Sequence, residues 1–294
     1  MYHYVKEKYF HMKIGPMGHK KTIKEILQQY HVAQRKIHQL LSHHCCYRNG
    51  EEVEPDTLFL IHDYLSIDIS LYEKMDYLPE KGPLTVLYED DYLLVINKPA
   101  GRIIYPDQPN KTGTIVNLVA QYYREQQLDL TLRHCHRLDK DTTGCLIFAK
   151  DLITQSAMTH LFETHQIKKI YWAKVEGKIT KPGRIDLPMA KDRHNNGKMV
   201  VSSTGQKATT FYKPLGRTSQ STLVEVQIAT GRTHQIRLHM ATIGHPIIGD
   251  ILYGSTTASP LLLHCKSLEW IHPITQNKLV IVSPLPPSFQ KDKK

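Results

Sequence analysis

The chain has 294 residues, 40% of them apolar and 22% charged, which suits a globular protein of two domains or of one large domain with an appendage. No run approaches the roughly 18 apolar residues of a membrane span. The start, MYHYVKEKYFHMKIGPMGHKK, lacks the apolar core of an export signal, so a cytoplasmic protein without membrane contact is expected. The formal net charge of +10 is unevenly spread: residues 81–294 hold 28 Lys and Arg against 17 Asp and Glu, whereas residues 1–80 hold 10 against 11. A basic excess on the larger part points to a polyanionic partner, nucleic acid above all. The five cysteines are odd in number and irregularly spaced, a poor disulfide framework, so reduced thiols are expected.

Along the chain, TIKEILQQYHVAQRKIHQLL opens with Thr22 and Glu25 at capping-box spacing. Ile23, Ile26, Leu27 and Tyr30 then follow the period of an amphipathic helix, and Ala33, Ile37, Leu40 and Leu41 allow a second. YRNGEEV carries an Asn49-Gly50 turn, and the alternating LFLIHDYLSIDI completes a small β-ribbon. Two helices followed by a ribbon resemble the S4 RNA-binding domain, which places an RNA-docking module at residues 1–70. Residues 71–83, ending in Pro and Gly, read as a linker to a catalytic domain at 84–294.

From there strands alternate with short helices. LTVLYEDDYLLVINKP reads as two strands around an acidic turn, TGTIVNLVAQYYREQ as a helix, CLIFAK as a buried strand and DLITQSAMTHLFETHQI as a helix. KKIYWAKVEG, ATTFYKPL and STLVEVQIA are strands, THQIRLHMATIG is a helix closed by Gly244, and LLLHCKSLEWIHP with KLVIVSPLP completes a sheet. Without regular βαβ alternation this order predicts an α+β fold on a mixed, largely antiparallel sheet.

Chemistry concentrates in RHCHRLDKDTTGCLIFAK. Taken alone, Arg137 and Asp139 are an ordinary surface pair, worth ~0–1 kcal/mol. A kinase loop is excluded because Leu138 separates Arg137 from Asp139 and no glycine-rich phosphate loop is present. His134, Cys135, His136, Asp139 and Asp141 are metal-ligand types, but no second Cys or His pair follows at zinc spacing, and no metal site is expected. KIYWAKVEG puts Tyr171 on one strand face, as a core residue or with its hydroxyl in a cleft. ATGRTHQIRLH places Arg232 at a helix entry, where it can reach a carboxylate, with His234, Arg237 and His239 on that helix, as part of the cleft or as a solvated basic face. NKPAG either brings Lys98 to the cleft or merely closes a loop.

The order NKPAG, HRLDKDTTG, KIYWAKVEG, GQKATTFY, GRTHQIRLH, GHPIIGDILYG, LLLHCKSLEWIHP resembles the HRLD-motif pseudouridine synthases over residues 84–289. Tyr105 in GRIIYP departs from the histidine common there. The resemblance implies an enzyme acting on ribosomal or transfer RNA, with no cofactor, and a monomer is expected. It implies that Asp139 is the essential aspartate, Arg232 its paired arginine, Tyr171 the residue that stacks on the base and serves as a proposed base, and Arg137 the residue that replaces the flipped uridine. His136, Lys98, Thr142, His234, Gln235 and Arg237 are the further candidates for RNA contact.

The chemistry suits those roles. Turning uridine into its C-glycoside breaks an N-glycosidic bond and needs a carboxylate at the sugar or base, kept ionised by a nearby cation. The base must leave its stack, which calls for an aromatic to receive it and a side chain to fill the gap. Whether Asp139 attacks the sugar, attacks the base or accepts a proton stays open. Two alternatives remain beside this reading: a non-catalytic RNA-binding protein on the same fold, and a metal-dependent phosphodiesterase using Asp139 and Asp141.

Overall fold

A computed structural model describes residues 8–106, 112–195 and 197–290. Residues 1–7 of the basic N-terminal stretch and 291–294 at the end of the expected catalytic domain lie outside them. The N-terminal part runs β1 (Tyr9–Lys13), β2 (Lys21–Thr22), α1 (Ile23–Gln29), α2 (Gln34–Ser42), β3 (Cys46–Arg48), β4 (Glu51–Glu52), β5 (Leu58–Phe59) and β6 (Tyr64–Asp68). The capping box forms as its spacing predicts, with Glu25 N–H on Thr22 Oγ1 and Thr22 N–H on Glu25 Oε2. Asn49 and Gly50 both take positive φ, 53° and 91°, which lets β3 and β4 close as a tight hairpin.

Two features differ from the expected ribbon. β1, which has no strong alternation, joins the sheet in the order β1-β6-β3-β4. LFLIHDYLSIDI is two strands, because the chain turns at His62 with φ 77°. The apolar faces of α1 and α2 (Ile23, Leu27, Ile37, Leu40) close on Phe10 and Leu65, and this core also takes in Leu152 and Ile153 from the other part of the chain. The N-terminal part therefore packs against the larger part of the chain. Residues 71–83 are strapped to it as well: the buried Glu73 carboxylate accepts from Arg133 NH1 at 2.8 Å and from Thr131 N–H at 2.9 Å, and Arg102 donates to Glu80 at 2.7 Å.

The larger part follows with β7 (Thr85–Glu89), β8 (Leu93–Lys98), α3 (Ile115–Glu125), β9 (Arg133–His134), β10 (Thr143–Ala149) and α4 (Leu152–Glu163). Then come β11 (Lys168–Glu176), β12 (Gly183–Asp186), β13 (Met189–Lys191), β14 (Met199–Val201), β15 (Thr209–Arg217), β16 (Ser221–Ile228), α5 (Gln235–Thr242), β17 (Leu263–Ile271) and β18 (Lys278–Val282). Its sheet runs β12-β15-β16-β11-β17-β10-β8-β7, with β18 on β17 and β9 on β10. Every pairing in it is antiparallel except β10 with β17. The fold is α+β on a mixed, largely antiparallel sheet, as the pattern predicts. Leu93 to Ile96 and Leu146 to Phe148 are fully buried, and Ile115, Val119 and Tyr123 of α3 share their core. β12 to β14 have no clear expectation in the sequence, since RIDLPMAKDRHNNGKMVV alternates weakly and is broken by polar residues.

The parallel contact holds the chemistry-bearing segment in place. It is two residue pairs long, Thr143 with His264 and Gly144 with Cys265, and the Thr143 hydroxyl meets His264 Nδ1 at 2.7 Å. Gly144 has φ 108°, and a Cβ there would lie 2.2 Å from the Cys265 carbonyl oxygen. Only glycine lets the two backbones come so close at the point where the HRLD segment enters the sheet. Gly144→Ala should accordingly cost at least about 3 kcal/mol in a denaturant titration, the range of strained backbone combined with overpacking. A stability within about 0.5 kcal/mol of the parent would show that the strands can separate freely there.

Candidate active site

Asp139 stands at the mouth of β10, in a turn closed by Thr142 N–H on the Asp139 carbonyl at 3.1 Å. Two devices hold that turn. Leu138 is buried in the core behind it. Lys98, at the end of β8, is fully buried and its ammonium donates to the carbonyls of Lys140 (2.7 Å), Pro99 (2.9 Å) and Thr142 (3.0 Å). Burial pulls its pKa down to about 8, with Asp141 and Asp139 opposing, so it is a cation at neutral pH. Lys98 is thus an internal staple and has no exposed atom to offer RNA, which corrects its expected place among the contact residues.

The other nine expected residues line one cleft of about 460 Å³. Asp139 meets a different arginine from the one expected. Arg237, in the first turn of α5, places NH1 3.3 Å from Asp139 Oδ2. Its other two nitrogens form a fork on Asp250, Nε to Oδ2 at 2.7 Å and NH2 to Oδ1 at 2.8 Å. Burial works against this cation, but Asp250 and then Asp139 raise its pKa. Arg232 points elsewhere, with Nε donating to the Lys207 carbonyl at 3.3 Å. The reason lies in the loop before α5: Gln235 Oε1 accepts from Arg232 N–H and from Thr230 Oγ1, while its amide donates to Thr209 O and Thr210 Oγ1. That closure turns Arg232 toward the rim and Arg237 inward. Gln235, 2% exposed, shapes the loop and has no free amide for RNA.

His234 precedes the helix instead of lying on it. It takes left-handed φ 56°, a strained value for a residue other than glycine. The strain aims its ring into the cleft, with Nδ1 3.0 Å from the Tyr253 hydroxyl and Nε2 3.8 Å from Asp139. Burial lowers its pKa despite Asp139, so the ring is neutral at pH 7. The Tyr253 ring also lies 5.2 Å from the Arg237 guanidinium, which completes the support around that side chain. His239, further along α5, is buried and bonded to Thr210 Oγ1 and the Leu187 carbonyl, so the helix is no solvated basic face.

Tyr171 lies on β11 with its ring 7% exposed. Burial first, then Cys265 and Asp139, push its phenol well above the ordinary tyrosine value. At neutral pH it is a protonated phenol, not a phenolate. His136 stacks on Phe162 at 4.8 Å and accepts Ile147 N–H at 3.2 Å; burial, then Lys169, drive its pKa down to about 3. It is a neutral wall of the cleft. Thr142 is buried beside Asp139, whereas Arg137 is exposed at the cleft edge. Tyr105 stacks on His134 at 5.1 Å. Asp141 is exposed and does not line the cleft. No group of three or more metal-ligating side chains occurs among the described residues.

Residues 92–242, which carry Asp139, Tyr171 and Arg237, match the RNA pseudouridylate synthase family. The chain belongs to that family. It is 38% identical over 255 residues to the RNA pseudouridine synthase YhcT of Bacillus subtilis (strain 168), covering 85% of this chain and 84% of that one. It is 33% identical over 261 residues to the ribosomal large subunit pseudouridine synthase D of Xanthomonas campestris pv. campestris, covering 83% and 78%. Among solved structures, human RNA pseudouridylate synthase domain containing 4 superposes with a TM-score of 0.60 at 30% identity, over 70% of this chain and 90% of that one. This protein is accordingly an RNA uridine isomerase, and its partner is RNA.

Sequence reasoning about the synthase missed Asp250, although GHPIIGDILYG was among the motifs noticed. The available signal was an acidic residue between two glycines in an otherwise apolar turn. Asp250→Asn removes the charge that orients Arg237 while leaving the Asp139 carboxylate intact. Single-turnover rates at saturating RNA should fall about 100-fold, the scale of a roughly 1 Å misplacement, with RNA affinity unchanged. Full activity in that variant would mean that Asp139 alone positions Arg237.

Proposed function

We propose that the protein converts a uridine of large-subunit ribosomal RNA to pseudouridine in the cytoplasm, as a monomer and without metal or cofactor. The observation that carries this reading is the Asp139 carboxylate at 3.3 Å from a guanidinium already fixed by a second carboxylate, at the floor of a cleft. Asp139 meets positive charge developing at the sugar, or bonds to the nucleotide, with the Arg237 guanidinium beside it. Tyr171 receives the base against its ring, and its phenol donates before it can accept. Arg137, exposed at the cleft edge, fills the gap in the RNA stack. The ribosomal substrate follows the naming of relatives such as the Xanthomonas synthase. The isomerisation needs no oxidant and no energy input.

Asp139→Asn keeps shape and removes charge, so turnover should drop by several orders of magnitude while RNA affinity barely changes. Asp141→Asn is the matched control and should retain most activity, and EDTA should leave the parent enzyme's rate intact once RNA folding is controlled. Equal loss in both variants, with chelator sensitivity, would favour the metal-dependent phosphodiesterase. An active Asp139→Asn enzyme would remove the mechanism altogether.

The N-terminal module, residues 1–70, is assigned to RNA docking on the S4-like order of its helices and strands. Lys20, Lys24 and Arg35 are exposed on it. Because its core includes Leu152 and Ile153, surface substitutions test it better than deletion does. Replacing these three by alanine should weaken RNA binding and flatten its salt dependence by about 0.7 per lost phosphate contact, with the saturated rate within about threefold of the parent. An unchanged salt slope would take the module out of RNA binding.

A further inference from the structure

The other inward-facing cations beside the Asp139 turn and the core behind it have partners among the described residues, whereas Arg137 and Lys140 of the turn itself stand exposed to water. Arg237 has two carboxylates, Lys98 has three carbonyls, and Lys150 has Glu89 Oε1 at 2.8 Å and the Asp90 carbonyl. Lys169 is the exception. It precedes Tyr171 by two residues on β11, so both side chains leave the same face of the strand, and both line the cleft. Among the described residues its ammonium has no ion pair and no hydrogen bond. What surrounds it is the Phe162 ring at 5.7 Å, the neutral His136, the Cys265 thiol and the bare backbone of Gly231, whose missing Cβ would stand 3.7 Å away. Glu163 lines the same cleft but forms no bridge to it. Burial pulls the Lys169 pKa down, the signature of a cation taken from water without compensation.

An uncompensated ammonium in a cleft costs stability unless a ligand supplies the missing charge. We infer that Lys169 holds a phosphate of the uridylate that enters the cleft, and so sets the register at which Tyr171 meets the base. This rests on the RNA reading above and adds a positioning residue to it. A neutral base carbonyl would satisfy one hydrogen bond and leave the charge unmet, whereas a phosphodiester satisfies both. Lysine also suits phosphate as a compact point charge. The two side chains are about 6–7 Å apart along the strand, comparable to the separation of base and phosphate within one nucleotide. The absent side chain at Gly231 leaves the facing wall open for such a group.

The test uses the full-length protein, Lys169→Met, Lys169→Arg and the control Lys168→Met, whose parent lysine is paired outward with Glu269 at 3.9 Å. The probe is an unmodified transcript of bacterial large-subunit ribosomal RNA. Lys169→Met should melt at the same temperature as the parent or higher, because an uncompensated charge has gone. Its half-saturating RNA concentration should rise about tenfold, and the slope of log affinity against log salt should shrink by about 0.7, one phosphate contact. Lys169→Arg should restore the slope, and Lys168→Met should leave both quantities unchanged. A lower melting temperature with unchanged affinity would make Lys169 structural and overturn the inference. So would an unchanged slope with a reduced saturated rate, which would place the ammonium on the reacting base. If the parent forms no pseudouridine in any transcript, the proposed substrate fails, while the binding slopes still decide whether Lys169 meets phosphate.

Discussion

Three carboxylate and guanidinium groups from distant segments meet at Arg237. Asp250 grips two of its nitrogens, and the third is left to face Asp139. A buried arginine with one carboxylate would be committed to that partner; with two it is pinned by one and presented to the other. The Asp139 carboxylate therefore meets a cation whose orientation does not depend on it. The strained His234, the Tyr253 hydroxyl and ring, and the Gln235 loop all serve that arrangement by fixing where α5 begins.

The opposite wall is built on backbone. Lys98 binds three carbonyls around the Asp139 turn, and Gly144 lets β10 and β17 touch immediately after it. Lys98 has no exposed surface and Gly144 has no side chain, yet together they decide the height of Asp139 above the sheet. Their expense is structural: a buried ammonium and a left-handed backbone are tolerated because the core behind them, Leu93 to Ile96 against Leu146 to Phe148, is large and continuous. The N-terminal part adds a second core that takes in the first turn of α4.

Local signals in the chain were enough for most elements. The Thr22 capping box, the Asn49-Gly50 turn, the buried runs of β8 and β10 and the C-terminal Gly244 are short-range physics, and each formed where its residues place it. β1 was not legible because its partner β6 lies far along the chain, and the β12 to β14 region because its own alternation is weak. The His62 break was hidden by apolar alternation that continues on both sides of the turn.

The sequence by itself determined which residues have chemistry to offer, and its motif order set Asp139, Tyr171 and the basic segment before Gly244 together as the expected parts of one site. Only the tertiary structure decided which arginine meets the aspartate. Arg232 and Arg237 are equivalent in type and only five residues apart, and either can reach across a cleft when read in one dimension. The choice depends on the Gln235 closure and the Asp250 fork, contacts between segments that no local pattern encodes. For the same reason Lys98 and Lys169 look alike in the sequence, although one is spent inside the fold on three carbonyls and the other stands uncompensated in the cleft. A side chain's identity is written in the chain, but its partner is set by what folds against it.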